Sequence, residues 1–384
     1  ALDLVVQSGP VQSISSFLQR LGRVGRRGEP GSMAFLLRSR EEIVFIAAAI
    51  AAAATGVTEP VIPIRSPLRV VVQQVILTLL SEGRVGRETL IRRLAGVITP
   101  RVDPGKIAGI IGFLESRGDL MNDRGFLMIG PSLEARGRQG AFYSVIGEGR
   151  ICDVRTGSGD LVGTLPVSSA DQVRTRPFRL GGRTWSPGKS DPGESTLSVS
   201  PDSFPADPPV FRGTSPGMSA TLMMMTASLL NGTLPDPGFP QEVRSAVDEM
   251  RVRLPPGTGP DTLVVLQDEG LVLLFTFLGD EWNRVLAYWL REEYRSEYSR
   301  SLRTESDGMT IRLSSPGVSS GWVSRVLARY TGQTRAPPLL PAGEPGRLYD
   351  SFLPEEMVQE MAETDRLRVD LLITALSERR ILEY

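Results

Sequence analysis

The stretch Gln19-Arg20-Leu21-Gly22-Arg23-Val24-Gly25-Arg26 spaces three arginines at intervals of three, with glycines between them. A guanidinium is a planar, permanently charged fork, suited to the negative charge that develops on a transferring phosphoryl group. On one helical turn, Arg23 and Arg26 would both reach the same phosphate, and Gly22 and Gly25 would keep the backbone close to it. Upstream, Leu4 to Gln7 reads as a strand, Ser8 to Val11 as a loop, and Ser13 as the cap of a helix. A solvated basic face or a Gly-Arg-rich loop would also space arginines this way. The strand–loop–helix context favours the phosphate.

The rest of a phosphate-handling apparatus is not in the sequence. No G-x-x-x-x-G-K-[ST] loop occurs, and the two lysines, Lys106 and Lys189, lie in other contexts. Lys106 follows Gly105 but lacks the upstream loop and a following Ser or Thr. Because Leu2 to Gln7 starts in mid-fold, the chain is expected to be the back part of a longer protein. Alone it is expected not to hydrolyse a nucleoside triphosphate.

Composition bounds the remaining possibilities. The 384 residues allow two to four domains. Residues 1–150 carry 19 Arg and Lys against 13 Asp and Glu, whereas the remainder carries 24 against 31. This asymmetry puts the phosphate-seeking surface in the first part. With one cysteine, Cys152, and no histidine, an internal disulfide, a cysteine-based zinc site and histidine-dependent catalysis are excluded. The apolar run Ile43 to Ala54 is too short to span a bilayer, so no membrane partner and a cytoplasmic location are expected.

The elements that must position these residues form a succession of textures. Residues 1–57 read as strand, arginine-bearing helix, strand (Met33 to Leu37) and alanine-rich helix, the way a RecA-like domain ends. Thr55 to Pro67 reads as an extended linker. Within 58–132, helices are predicted from Leu68, from Gly86 and from Asp103-Pro104, an N-cap followed by proline. A hairpin around Asn122-Asp123-Arg124-Gly125 follows, which together predict a winged helix. Apolar residues there serve the core; Arg84, Arg87, Arg92, Arg93, Arg101, Lys106 and Arg124 remain for phosphates or for a solvated face.

Residues 133–215 break into short strands, from Ala141, Arg150, Leu161, Pro177, Gly182 and Thr196, which predict a β-barrel-like unit. Trp185, in Leu180-Gly-Gly-Arg-Thr-Trp185, could stack on a nucleobase for about 1–3 kcal/mol, or plug the barrel. Residues 216–384 read as α+β: helices Ser219–Leu230, Gln241–Arg253, Val318–Tyr330 and Pro354–Ala375, with strands between them. The fold class is therefore α/β multidomain.

The octet at 19–26 is similar to motif VI of superfamily 2 helicases. It is followed by the winged helix, the Leu180–Trp185 stretch, Pro209-Val-Phe-Arg-Gly-Thr-Ser-Pro-Gly217, Phe277-Leu-Gly-Asp-Glu-Trp-Asn-Arg284 and Phe352-Leu-Pro-Glu-Glu-Met357. In that order the chain resembles the core of Lhr (large helicase-related) superfamily 2 DNA helicases. The likeness runs from the end of the second RecA domain through a winged helix to a helicase-associated domain. The resemblance implies ATP-driven 3′ to 5′ translocation with duplex unwinding, using ATP and Mg2+ bound mainly by sequence outside this chain. It implies single-stranded DNA, or a duplex with a 3′ single-stranded tail, or an RNA–DNA hybrid, as partner. By position, Arg23 and Arg26 look like arginine fingers. Gln19, Arg20 and Gly22 look like the residues that couple the nucleotide to the facing domain, and Trp185 looks like a tryptophan near the DNA path. Two other classes stand beside this one. A DNA-binding winged helix from a truncated gene would act without ATP. A winged-helix transcription regulator leaves the arginine octet unexplained.

Overall fold

The computed structural model describes residues 3–25, 31–98, 100–138, 142, 151–189, 196–209, 217–268, 270–332 and 348–384. Strand β1 (Leu4–Ser8) and helix α1 (Ile14–Leu21) lead to β2 (Ser32–Leu36) and α2 (Arg40–Ala54). β1 and β2 pair in parallel, from Leu4 with Ser32 to Ser8 with Leu36, and α1 is the crossover that parallel pairing demands. Ala47, Ala48, Ala49, Ala51 and Ala52 of α2 are buried, so its apolar run is accounted for by packing. No helix among the described residues is long and apolar enough to cross a membrane.

The next segment folds as α3 (Leu68–Glu82), β3 (Arg84–Gly86), α4 (Arg87–Val97), α5 (Pro104–Ser116), β4 (Leu120–Asp123), β5 (Phe126–Ile129) and α6 (Pro131–Arg138). Asp103 caps α5, its carboxylate accepting from the Lys106 N–H, with proline at the first helical position. Arg124 (φ 50°) and Gly125 (φ 86°) form the two-residue turn of the hairpin, both left-handed. The expected hairpin gains a third strand, β3, which pairs with β5. Three helices and a three-stranded wing make this a winged helix, and Ile107, Ile110, Ile111 and Leu114 of α5 are buried in its core.

A five-stranded half-barrel follows. Its strands are β6 (Ile151–Thr156), β7 (Leu161–Pro166), β8 (Phe178–Leu180), β9 (Arg183–Pro187) and β10 (Thr196–Asp202), in the order β7-β6-β10-β9-β8. Helix α7 (Val167–Val173), which no periodicity announced, closes one side with Ala170 and Val173. The strand expected from Ala141 lies outside the described residues apart from Phe142.

The last segment contains α8 (Ala220–Leu230), α9 (Gln241–Arg253), β11 (Thr262–Asp268), β12 (Leu271–Phe275), α10 (Gly279–Tyr298), β13 (Arg303–Ser306), β14 (Thr310–Ser314) and α11 (Ser320–Thr331). The helix expected over 354–375 is broken into α12 (Glu355–Met361), a π turn (Ala362–Arg366) and α13 (Val369–Ser377). Arg368 at φ 51° marks the break. The closing strand β15 (Arg380–Glu383) pairs in parallel with β11 and completes a second five-stranded sheet.

These segments gather into two compact units. One comprises Ala1–Pro63, Ser215–Leu340 and Arg366–Tyr384; the other comprises Ile64–Thr214 and Pro341–Asp365. In the first, α2 packs on α8 and α9 in one apolar core. In the second, Tyr349, Phe352, Leu353 and Met361 return to the winged-helix core. Each such burial contributes about 1.5–3 kcal/mol.

Candidate phosphate and nucleic-acid sites

Helix α1 is held at its start by two residues. The Ser13 hydroxyl accepts from the Ser16 N–H at 3.1 Å. Glu59 takes the next donors, the Ile14 N–H at 2.9 Å, the Ser15 N–H at 2.7 Å and the Ser15 hydroxyl at 2.6 Å. The Ser219 hydroxyl, itself the cap of α8, donates to the same carboxylate at 2.8 Å. A carboxylate over free N–H groups at a helix start is favoured by those donors and by the helix dipole. Burial pulls the Glu59 carboxyl up, and the hydrogen bonds from Ser15, Ser219 and Ile14 outweigh it, holding the group below the ordinary carboxylate range. Sequence reasoning passed over Glu59 because it sits in the linker, 45 residues from Ile14. No local pattern signals that contact.

At its other end α1 stops at Leu21, and the Gly22 N–H donates to Leu18 O at 2.8 Å. The Arg23 N–H donates to Arg20 O at 3.0 Å and the Val24 N–H to Leu21 O at 3.1 Å. Arg23 therefore lies in a turn just beyond the helix rather than on a helical turn, because Gly22 ends the helix and Gly25 turns left-handed (φ 68°). Its side chain is exposed and has no ion pair or hydrogen-bond partner among the described residues. Arg26 lies outside the described residues.

The Arg20 guanidinium donates to Gln7 Oε1 at 2.7 Å. Gln7, buried on β1, donates in turn to the Gly9 and Pro10 carbonyls at 3.2 and 3.0 Å. Arg20 thus borders a cavity of about 300 Å³ lined by Val5, Val6, Gln7, Ser8, Pro10 and Gln12. Gln19 is exposed on α1.

The cations of the winged helix divide into two groups. Arg92 on α4, Arg101 in the loop after it and Arg124 at the wing tip are exposed, with no partner among the described residues. The others face carboxylates. Arg84 reaches Asp123 at 3.4 Å and lies 4.2 Å over the Phe126 ring. Arg87 pairs with Glu115 and donates to Ala108 O at 3.3 Å. Arg93 pairs with Glu82, and the Lys106 ammonium donates to both Glu360 oxygens, at 2.6 and 2.5 Å. The Arg87 N–H also donates to Gly125 O at 2.9 Å, which sets the wing turn against the start of α4.

Trp185 is 6% exposed inside the half-barrel, packed with Phe178, Leu165 and Val199. Its indole N–H donates to Leu180 O at 3.0 Å. Among the described residues no group of three or more His, Cys, Asp or Glu is arranged to hold a metal ion.

The stretch Phe277–Arg284, singled out by sequence, meets the start of α8. Gly279 (φ 81°) is so close to the start of α8 that a Cβ would sit 2.6 Å from Ala220 N and 2.7 Å from Met218 O. The Asp280 N–H donates to Met218 O at 3.0 Å, and its carboxylate accepts from the Met218 N–H at 2.5 Å. The Ser219 N–H donates to Gln12 O at 2.8 Å. Hydrogen bonds thus run from the start of α10 through residues 218 and 219 to Glu59 and the start of the arginine helix.

No protein-family model matches the chain, and no curated protein matches it. Its fold is similar to that of a solved structure, Mycobacterium smegmatis helicase Lhr bound to ssDNA and AMP-PNP, with a TM-score of 0.58 and 17% sequence identity. The likeness covers 100% of this chain and 55% of that one, so the chain spans about half the length of its structural neighbour.

Proposed function

We propose that this chain is part of an ATP-driven 3′ to 5′ DNA helicase, in which Arg23 and Arg26 act as arginine fingers. The observation that carries the proposal is the contrast within α1 and its turn: the helix start is clamped by Glu59 while the Arg23 guanidinium is exposed and has no partner among the described residues. A fixed backbone with a free, permanent positive charge is what stabilising a transferring phosphoryl group requires, because the charge must already be in place when the phosphate oxygens become more negative. Arg20, tied to Gln7 on β1, would pass the state of the nucleotide to the sheet. The likeness in fold to a helicase structure supports the same role. The phosphate loop that the arginines would face is not among these 384 residues, so another segment or chain must hold the triphosphate. Single-stranded DNA is the proposed track, met by the free arginines of the winged helix.

Arg23→Ala or Arg26→Ala, made in the full-length protein, should lower DNA-stimulated ATP hydrolysis by on the order of 10³ while DNA affinity stays unchanged. Steady-state ATPase assays with a parallel DNA-binding titration decide it. Hydrolysis at the parental rate in both variants would remove the proposal.

A further inference from the structure

A helix-turn-helix module that reads a duplex does so with its second helix in the major groove, using long side chains that reach base edges. Here that helix is α5. Its one basic residue is Lys106, and its other outward positions include Gly105, Ala108, Gly109 and Gly112. The glycines and the alanine carry no side chain that can donate to a base, and the Ser116 hydroxyl, exposed at the end of α5, donates to Phe113 O at 2.7 Å.

The chain itself also lies along α5. Positions 106, 109, 113 and 117 recur at helical spacing and form one stripe. Lys106 pairs with Glu360, and a Cβ on Gly109 would come 3.4 Å from Met357 Cε. The Arg117 guanidinium lies 5.4 Å over the Phe113 ring and 5.5 Å over the Phe352 ring, and it donates to the Ser351 carbonyl. Reading along α5, the partners run backwards from 360 to 351, so the returning segment crosses antiparallel. Residues 348–365 hold six acidic side chains and no basic one. Along the neighbouring stripe, Arg87 covers Ala108 and Glu115.

We infer that this winged helix binds a phosphate backbone without entering a duplex groove: residues 348–365 occupy the α5 face, and contact passes to α4, the following loop and the wing tip through Arg92, Arg101 and Arg124. The acidic segment is a fixed part of the domain rather than a lid, since Tyr349, Phe352, Leu353 and Met361 are all at most 4% exposed in the core that α5 shares. Its negative charge would repel a second polyanion from that side. These three arginines, without a partner among the described residues, are set on a helix, a loop and a two-residue turn, and a guanidinium on a phosphate carries no base code.

This inference rests on the nucleic-acid partner proposed above, and the experiment separates the two. Salt titrations of binding to a single-stranded oligonucleotide and to a duplex are run on the parent, on Lys106→Ala and on the triple variant Arg92→Ala/Arg101→Ala/Arg124→Ala. The triple variant should flatten the log–log salt slope by about 2 for the single strand. Lys106→Ala should leave affinity and slope unchanged, and guanine N7 in the duplex should stay open to methylation. N7 protection that disappears in Lys106→Ala, or an unchanged slope in the triple variant while the parent binds, overturns the inference. A parent chain that binds neither nucleic acid overturns the proposed partner instead.

Discussion

In α1 the available carboxylate, Glu59, binds backbone donors, and the nearby guanidinium of Arg23 is left in solvent. In the winged helix the carboxylates Asp123, Glu115, Glu82 and Glu360 go to the cations themselves, and Arg92, Arg101 and Arg124 are the ones passed over. The two regions read alike as arginine-rich sequence. Their difference teaches that a cluster of positive residues identifies a phosphate site only after the protein's own anions have been assigned. A surface ion pair contributes little to stability, typically about 0–1 kcal/mol, yet it decides which cation is available to a partner.

The comparison can be broken most directly by exchanging the loss between the regions. Arg23→Ala is expected to cost on the order of 10³ in ATP turnover, whereas Arg87→Ala, in the same full-length protein, should leave turnover within about twofold. Equal losses would show that pairing does not separate working from structural arginines.

Next in size is the clamp. Glu59→Ala strands the Ile14 and Ser15 N–H groups and should cost about 2 kcal/mol of stability, read as a lower urea midpoint at constant slope. Because the Glu59 carboxyl is held below its ordinary value, its contribution is fully present above the unfolded pKa of about 4.3. It is lost as pH falls through the lower, folded value. Glu59→Gln should therefore flatten the fall in stability between neutral and acid pH. A parental pH dependence would mean that the carboxylate does not carry the clamp.

Smaller effects sharpen the picture. Arg87→Ala removes the ion pair with Glu115, which keeps its bond from the Asn122 amide, and the bond to Ala108 O, and should lower stability by about 1 kcal/mol or less. Trp185→Phe keeps the ring in the half-barrel and removes the hydrogen bond to Leu180 O, a loss of about 1 kcal/mol or less. The affinity of the Phe variant for single-stranded DNA should match the parent, since the indole is 6% exposed. A large loss of affinity with intact stability would place Trp185 on the DNA path.

Much of the architecture was legible because it is written in local chemistry. Ser13 caps α1, Asp103 and Pro104 open α5, Gln241 to Arg253 forms a helix, and Arg124-Gly125 makes the wing turn. Each depends on residues within a few positions of one another. The short additions escaped for the same reason. β3 and β15 are strands through pairing with β5 and β11, partners far away in sequence, and α7 is too short for a periodicity to show.

By itself the sequence determined the mixed α/β class, the arginine octet, the order of the segments and the absence of histidine chemistry, since these follow from residue identity and short-range geometry. Tertiary structure alone decided that Glu59 clamps the arginine helix, that Gly279 admits the start of α8, and that 348–365 runs back along α5. The reason is physical: caps and tight turns form between residues a few positions apart, whereas strand pairing, the Glu59 clamp and ion pairs form with whatever the folded chain brings within reach.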